Sequence, residues 1–134
     1  MKIISYLMLD GNCEEALNFY KEILKGEITF LQRYKDAKGM PVAEEDEEKI
    51  LHAQLDFSGN TLFFSDAGTH QPVKFGNNVS LTLEFDNQQE QQHIYDALAE
   101  EGQILMPLED QFWGSKFGSV IDKYGFYWNL DCNQ

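Results

Sequence analysis

Three histidines, His52, His70 and His93, and two cysteines, Cys13 and Cys132, are the side chains of this 134-residue sequence best suited to acid–base, nucleophilic or metal chemistry. His52 stands in an alternating stretch: Ile50, His52, Gln54 and Asp56 share one face, and Leu51, Ala53, Leu55 and Phe57 the other. Imidazole is the side chain that takes up and releases protons near neutrality, which makes His52 the best single catalytic candidate. His70 falls in a glycine-rich connection and His93 in a helical stretch, and both read as surface or edge histidines. Cys13 falls in the first turn of a helix, whose dipole can lower a thiol pKa, but its plain reading is an inert cysteine. Cys13 and Cys132 form no metal-spaced pair, and with no export signal they read as two free thiols of a cytoplasmic protein. There is no Gly-x-Ser-x-Gly elbow and no P-loop. A glycine-rich strand-to-helix loop, the cradle of a nucleotide-like cofactor, follows neither Leu9 nor Phe85, so no cofactor is expected.

The elements that must position these residues follow from periodicity. Residues 3–9 read as a strand broken by Asp10-Gly11-Asn12. Asn12 is a good N-cap with Glu15 as its capping-box partner. Ala16, Leu17, Tyr20, Ile23 and Leu24 then recur at helical spacing, and Gly26 is the expected C′ residue. Strands are predicted at 27–34, 50–57 and 61–65, with Ser58-Gly59-Asn60 as a hairpin turn. The acidic run Glu44-Glu45-Asp46-Glu47-Glu48 reads as a solvated loop, and 66–78, with two Gly and one Pro, as a linker. The pattern then recurs: a strand at 79–85, a helix capped by Asp86-Asn87 with Ile94, Tyr95 and Leu98 inside, and strands at 103–108, 116–121 and 126–131.

An internal repeat organises the chain. Asp10 and Asp86 precede the two helices and Gly26 and Gly102 follow them, both pairs 76 residues apart; the same offset pairs Leu7 with Leu83, Phe19 with Tyr95 and Ile28 with Ile104. The predicted fold class is α+β: two tandem βαβββ modules in one domain across 1–134, with module 1 at about 1–66, a linker at about 67–77 and module 2 at about 78–134. A four-stranded sheet with one helix leaves its other face bare. Two such curved sheets sharing that face would form a cup, helices outside, lined by His52, Gln54, Ser80, Thr82, Glu84, Tyr127 and Asn129. Leu51, Ala53, Leu55 and Phe57, and Val79, Leu81, Leu83 and Phe85, would then face the helices. Trp113, beside Gly114 in a strand-linking loop, is a candidate for the cup rim or a dimer contact. The net charge of −13 repels phosphate backbones, so nucleic acid is not an expected partner. No apolar run reaches the roughly 18 residues of a membrane span.

Three segments in order resemble the vicinal oxygen chelate superfamily, the glyoxalase/bleomycin-resistance/dioxygenase group, and within it the PhnB-like branch that often carries a "3-demethylubiquinone-9 3-methyltransferase-like" label. They are Tyr6-Leu7 with Asp10-Gly11-Asn12-Cys13-Glu14-Glu15-Ala16-Leu17-Asn18-Phe19-Tyr20; Gly39-Met40-Pro41-Val42 with Lys49-Ile50-Leu51-His52-Ala53-Gln54-Leu55; and Phe112-Trp113-Gly114-Ser115-Lys116-Phe117-Gly118 with Asp122-Lys123-Tyr124-Gly125-Phe126-Tyr127-Trp128-Asn129-Leu130. The resemblance covers nearly the whole chain and implies a homodimer. Phe126 stands where a His is common in the branch. In metal-using members a divalent ion in the cup is held by His, Gln and Glu from the first and last strands of each half. Those positions carry over to Ile4 or Ser5, Phe63, Ser80 and Asn129, none of them a His or Glu, so the usual metal site is expected to be absent. The expected function is metal-independent binding of a small molecule at His52, Gln54, Phe63, Ser80, Thr82, Trp113 and Asn129. The alternative is a lyase, isomerase or dioxygenase-type enzyme holding a metal by non-standard ligands, with His52 and Glu84 the imaginable ones. The methyltransferase label lacks its cofactor loop here and is not expected to describe the activity.

Overall fold

A computed structural model of the chain describes residues 1–69 and 71–134. It divides into two compact units, Met1–Lys74 and Phe75–Gln134. The first contains β1 (Ser5–Leu9), α1 (Cys13–Ile23), β2 (Glu27–Arg33), β3 (Ile50–Phe57) and β4 (Asn60–Asp66), with strand order β1-β4-β3-β2. The second contains β5 (Leu81–Phe85), α2 (Gln88–Ala99), β6 (Gln103–Asp110), β7 (Ser115–Ile121) and β8 (Tyr127–Asn133), with strand order β5-β8-β7-β6. In each sheet the first strand runs parallel to the last and the other neighbours are antiparallel. The α+β fold with two repeated βαβββ modules is therefore present. His70 lies outside the described residues.

Each helix covers one face of its sheet. Cys13, Ala16, Leu17 and Tyr20 form the buried stripe of α1, and Tyr20 stacks on Phe64 at 5.8 Å between centroids, above Ala53 and Leu55. Gln91, Ile94, Tyr95 and Leu98 form the stripe of α2, over a sheet whose buried side chains are Val120, Trp128 and Leu130. These stripes are offset by 78 residues, not 76. Tyr95 thus occupies the place of Leu17, and the pairing of Phe19 with Tyr95 is corrected. The cause is the helix exit: Gly26 lies six residues past the last buried position of α1, Tyr20, whereas Gly102 lies four past Leu98.

Helix ends also differ from the sequence reading. The Asn12 side chain caps nothing. Asp66, at the end of β4 opposite Leu9, does so from across the fold: its Oδ1 accepts from the backbone N–H of Gly11 (2.8 Å) and Cys13 (3.0 Å), placing a carboxylate at the positive end of α1. α2 uses the local device, Asn87 Oδ1 accepting from the Glu90 N–H. At the far end of α1 the left-handed residue is Lys25 (φ 54), not Gly26; the N–H groups of Gly26 and Lys25 donate to Lys21 and Glu22 in a Schellman pattern. Gly26 is a glycine for a different reason: a Cβ there would lie 2.8 Å from the Asp56 carbonyl oxygen.

β1 and β5 start later than expected, at Ser5 and Leu81, where their ladders begin; Ile3 and Val79 are exposed and face no helix. Ile50, assigned by alternation to the polar face, is fully buried, because register shifts between Gln32 and Arg33 and its N–H donates to Asp66 Oδ2. The acidic run is not simply solvated. Asp46 is buried and bonded to Lys49 and Thr69, and Glu48 pairs with Lys35.

Candidate functional site

With Ala53, Leu55 and Phe64 under α1, period-two alternation turns His52, Gln54 and Phe63 to the helix-free face of the first sheet. Tyr6, opposite Phe63, and Phe30, opposite Gln54, join them. The rings surround the imidazole: centroids lie 4.8 Å from His52 for Phe63, 5.4 Å for Tyr6 and 5.7 Å for Phe30. His52 Nδ1 is 2.6 Å from the Tyr6 hydroxyl, and His52 Nε2 is 3.1 Å from Gln54 Nε2. One nitrogen of a neutral imidazole donates and the other accepts, and the Gln54 carboxamide and the Tyr6 hydroxyl can complement either tautomer. Burial pushes the Tyr6 phenol above its ordinary value, with the neighbouring Ser65 hydroxyl pulling the other way, so it remains protonated at neutral pH. The outcome is a hydrogen-bonded relay of Gln54, His52 and Tyr6, with the Ser65 hydroxyl beside the phenol.

In the second unit Trp128 and Leu130 are buried, so Asn129 turns to the helix-free face. Asn129 Nδ2 donates to Ser80 Oγ (2.9 Å) and Thr82 Oγ1 (3.2 Å). Glu84 and Asp131 are register partners on the same face, and Asp131 Oδ1 is buried with no hydrogen-bond partner among the described residues. Trp113, half exposed, sits in the turn between β6 and β7 with its ring against Phe112 (5.1 Å) and Phe117 (5.9 Å).

The structure thus brings His52, Gln54 and Phe63 together, brings Ser80, Thr82 and Asn129 together, and gives Trp113 different neighbours. Tyr6 and Phe30 were not among the expected site residues. The signal for Tyr6 was present: it lies 76 residues before Thr82, and the pairs Tyr6–Phe63 and Thr82–Asn129 occupy the same register positions in their parallel ladders. Phe30 carried no such mark, because a bulge between Ile28 and Phe30 resets the alternation of β2.

Cys13 is fully buried, and burial, Asp66 and Glu14 push its thiol well up rather than down, which leaves it protonated and inert. The positions corresponding to superfamily metal ligands offer an alkyl chain at Ile4 or a hydroxyl at Ser5, a phenyl ring at Phe63, a hydroxyl at Ser80 and a carboxamide at Asn129, the last two already bonded to each other. This donor set does not fit a divalent transition metal. Among the described residues no group of three or more His, Cys, Asp or Glu is placed to hold one. A polar groove of about 420 Å³ lies where α1 ends beside the β3–β4 turn, lined by Lys25, Glu27, Asp56, Ser58 and Asn60 among others. Its polar groups are largely committed: Thr61 donates to Asp56, and Asn60 to the Phe57 and Ser58 carbonyls.

Two βαβββ units, each with one helix-covered and one open sheet face, define the class: the glyoxalase/bleomycin-resistance fold of the vicinal oxygen chelate superfamily. The chain shares that fold with a fosfomycin resistance protein of Listeria monocytogenes (9% identity, 100% of this chain and 94% of that one, TM-score 0.67) and a glyoxalase-related enzyme of Fulvimarina pelagi (17%, 99% and 89%, TM-score 0.61). Within that class the chain belongs to the PhnB-like family described as 3-demethylubiquinone-9 3-methyltransferase, whose profile matches residues 1–131. Among solved structures it is similar to a Pseudomonas aeruginosa protein (33% identity, 100% of this chain and 98% of that one, TM-score 0.91) and to the PhnB protein of Bacillus cereus (32%, 98% and 99%, TM-score 0.83). It is also 29% identical to protein YjdN of Escherichia coli over 98% of this chain and 95% of that one.

Proposed function

We propose that the chain is a small-molecule binding protein that works without a metal, and that the helix-free face around His52 is where its ligand lies. The observation that supports this most is the Tyr6–His52–Gln54 relay among Phe30 and Phe63. Half-exposed rings beside an ordered polar chain offer apolar area for affinity and a few directed bonds for orientation, the usual make-up of a ligand site. Asn129, Ser80 and Thr82 are proposed as a second polar contact set and Trp113 as a peripheral one. A homodimer in the cytoplasm fits the exposed apolar side chains Ile104, Leu105, Met106 and Phe112 and the two unbridged cysteines. No helix among the described residues is long and apolar enough to cross a membrane.

Methyl transfer is not proposed. Only Asp10-Gly11-Asn12 follows β1 and Asp86-Asn87 follows β5, and neither is a glycine-rich cradle for a nucleotide-like cofactor. A metal-dependent lyase, isomerase or dioxygenase-type activity on non-standard ligands has one observation in its favour, the adjacent carboxylates Glu84 and Asp131. Metal analysis of protein purified without a His tag decides between the readings: stoichiometric Zn, Ni, Fe or Mn supports the enzyme. A thermal-shift screen over metals and small metabolites tests the binding reading, since whatever binds only the folded chain raises its melting temperature. His52→Ala should erase the shift of any hit; an unchanged shift removes His52 from the site.

A further inference from the structure

The helix-free face of the second unit carries a row of carboxylates and rings that is separate from the His52 face. One residue from each strand aligns across the sheet: Glu84 on β5, Asp131 on β8, Phe117 on β7 and Glu109 on β6. Leu130 and Cys132, on either side of Asp131, are buried, and a Cβ on Gly118, next to Phe117, would lie 2.9 Å from the Tyr95 ring of α2. Alternation therefore turns Asp131 and Phe117 away from the helix. The Trp113 ring lies 5.9 Å from that of Phe117, so the half-exposed indole belongs to this row.

Two features of the row cost the chain stability. Glu84 and Asp131 are like charges directly opposite each other on neighbouring strands. Asp131 Oδ1 is buried with no hydrogen-bond partner, and neither carboxylate enters an ion pair, among the described residues. A charged N–H donor lying against both carboxylates offsets the repulsion and satisfies the buried oxygen together. The rings decide what carries that donor. A metal ion needs further oxygen or nitrogen ligands, and the next side chain in the row is the Phe117 phenyl ring. An organic cation gains from the same rings, through its charge over their faces and its carbon against them. The net charge of −13 raises the local concentration of any cation. We propose that this face binds an organic ammonium ion with an apolar body, its N–H groups on Asp131 and Glu84 and its body against Phe117 and Trp113.

The test titrates the full chain with benzylammonium, benzyltrimethylammonium, benzyl alcohol and Zn²⁺, and follows the indole N–H signals of Trp113 and Trp128 by nuclear magnetic resonance. Trp128 is the internal control, because its Nε1 donates to Asp122 from the interior. Benzylammonium should move the Trp113 signal, leave that of Trp128 in place and bind more tightly than the other two organic probes. Asp131→Asn and Glu84→Gln should each weaken it by about tenfold, the worth of one charge-assisted hydrogen bond. Glu84 is exposed, so Glu84→Gln keeps the test readable should Asp131→Asn not fold. Equal or tighter binding of benzyl alcohol or benzyltrimethylammonium, or an affinity unchanged in the variants, overturns the proposal. So does Zn²⁺ displacing benzylammonium at stoichiometric concentration, which favours the metal-dependent reading. A Trp113 signal that stays still rejects this face; the binding face around His52 is judged separately, by its own ring signals.

Discussion

Asp66 is 1% exposed, and its two oxygens accept from three backbone N–H groups: Gly11, Cys13 and Ile50. One side chain thus caps α1, fixes the β1–α1 turn and pins the start of β3, two residues from His52. Asp66→Ala strands three donors in the interior and should cost roughly 3 kcal/mol or more in urea unfolding, while Asp66→Asn, which keeps one acceptor oxygen, should cost less. Asp46 works by charge. Lys49 and Thr69 hold its carboxyl well below the ordinary 3.8, at about 2. A carboxylate whose pKa is lowered by folding stabilises fully above the unfolded value and loses that contribution as pH falls through the folded one. The acid limb of a thermal-stability profile between about pH 4 and pH 2 should therefore be shallower in Asp46→Asn than in the natural chain. At this scale alternation in the sequence pointed to His52 and Gln54 and the family resemblance to Phe63, but neither pointed to the bond that joins His52 to Tyr6. That bond spans 46 residues and depends on β1 lying beside β4, which no local spacing encodes. Asp66 was hidden for the same reason: Asn12 is the better local cap, and a distant carboxylate displaces it.

The elements repeat in their backbone strain as well as in their order. Lys25 and Glu101, both with positive φ (54 and 61) and 76 residues apart, each precede a glycine whose missing Cβ admits a neighbouring carbonyl, that of Asp56 or of Ile121. Left-handed backbone costs an ordinary L-residue about 1–2 kcal/mol, so Lys25→Gly and Glu101→Gly should each raise stability by around 1 kcal/mol. Gly26→Ala and Gly102→Ala should lower it, and chemical denaturation of the four variants checks both signs. The elements were the most legible level: strand β3 was read to the residue, and the hairpin after it is a primed turn, with positive φ at Ser58 and Gly59. What misled was using one offset for everything. The first two strands of each unit and the helix exits repeat at 76, whereas the buried helical stripes repeat at 78, because α1 runs on from Tyr20 to Ile23 while α2 stops at Ala99, directly after Leu98.

For the whole molecule, charge is the dominant property. A chain with net charge −13 acts on any charged ligand at long range, and salt shortens that reach to about 8 Å at physiological ionic strength. If the ligand is uncharged, its affinity should stay within about twofold between 50 mM and 500 mM salt; a cation would lose affinity steeply and an anion would gain. Light scattering after size exclusion should give twice the chain mass for the proposed dimer, and the single-chain mass would reject it. The most direct measurement is a two-dimensional aromatic carbon–proton spectrum of the protein titrated with a hit from the metabolite screen. The account predicts movement of the His52, Tyr6, Phe30 and Phe63 ring signals. Movement confined to the groove around Lys25, Asn60 and Thr61, with those four rings still, would contradict it.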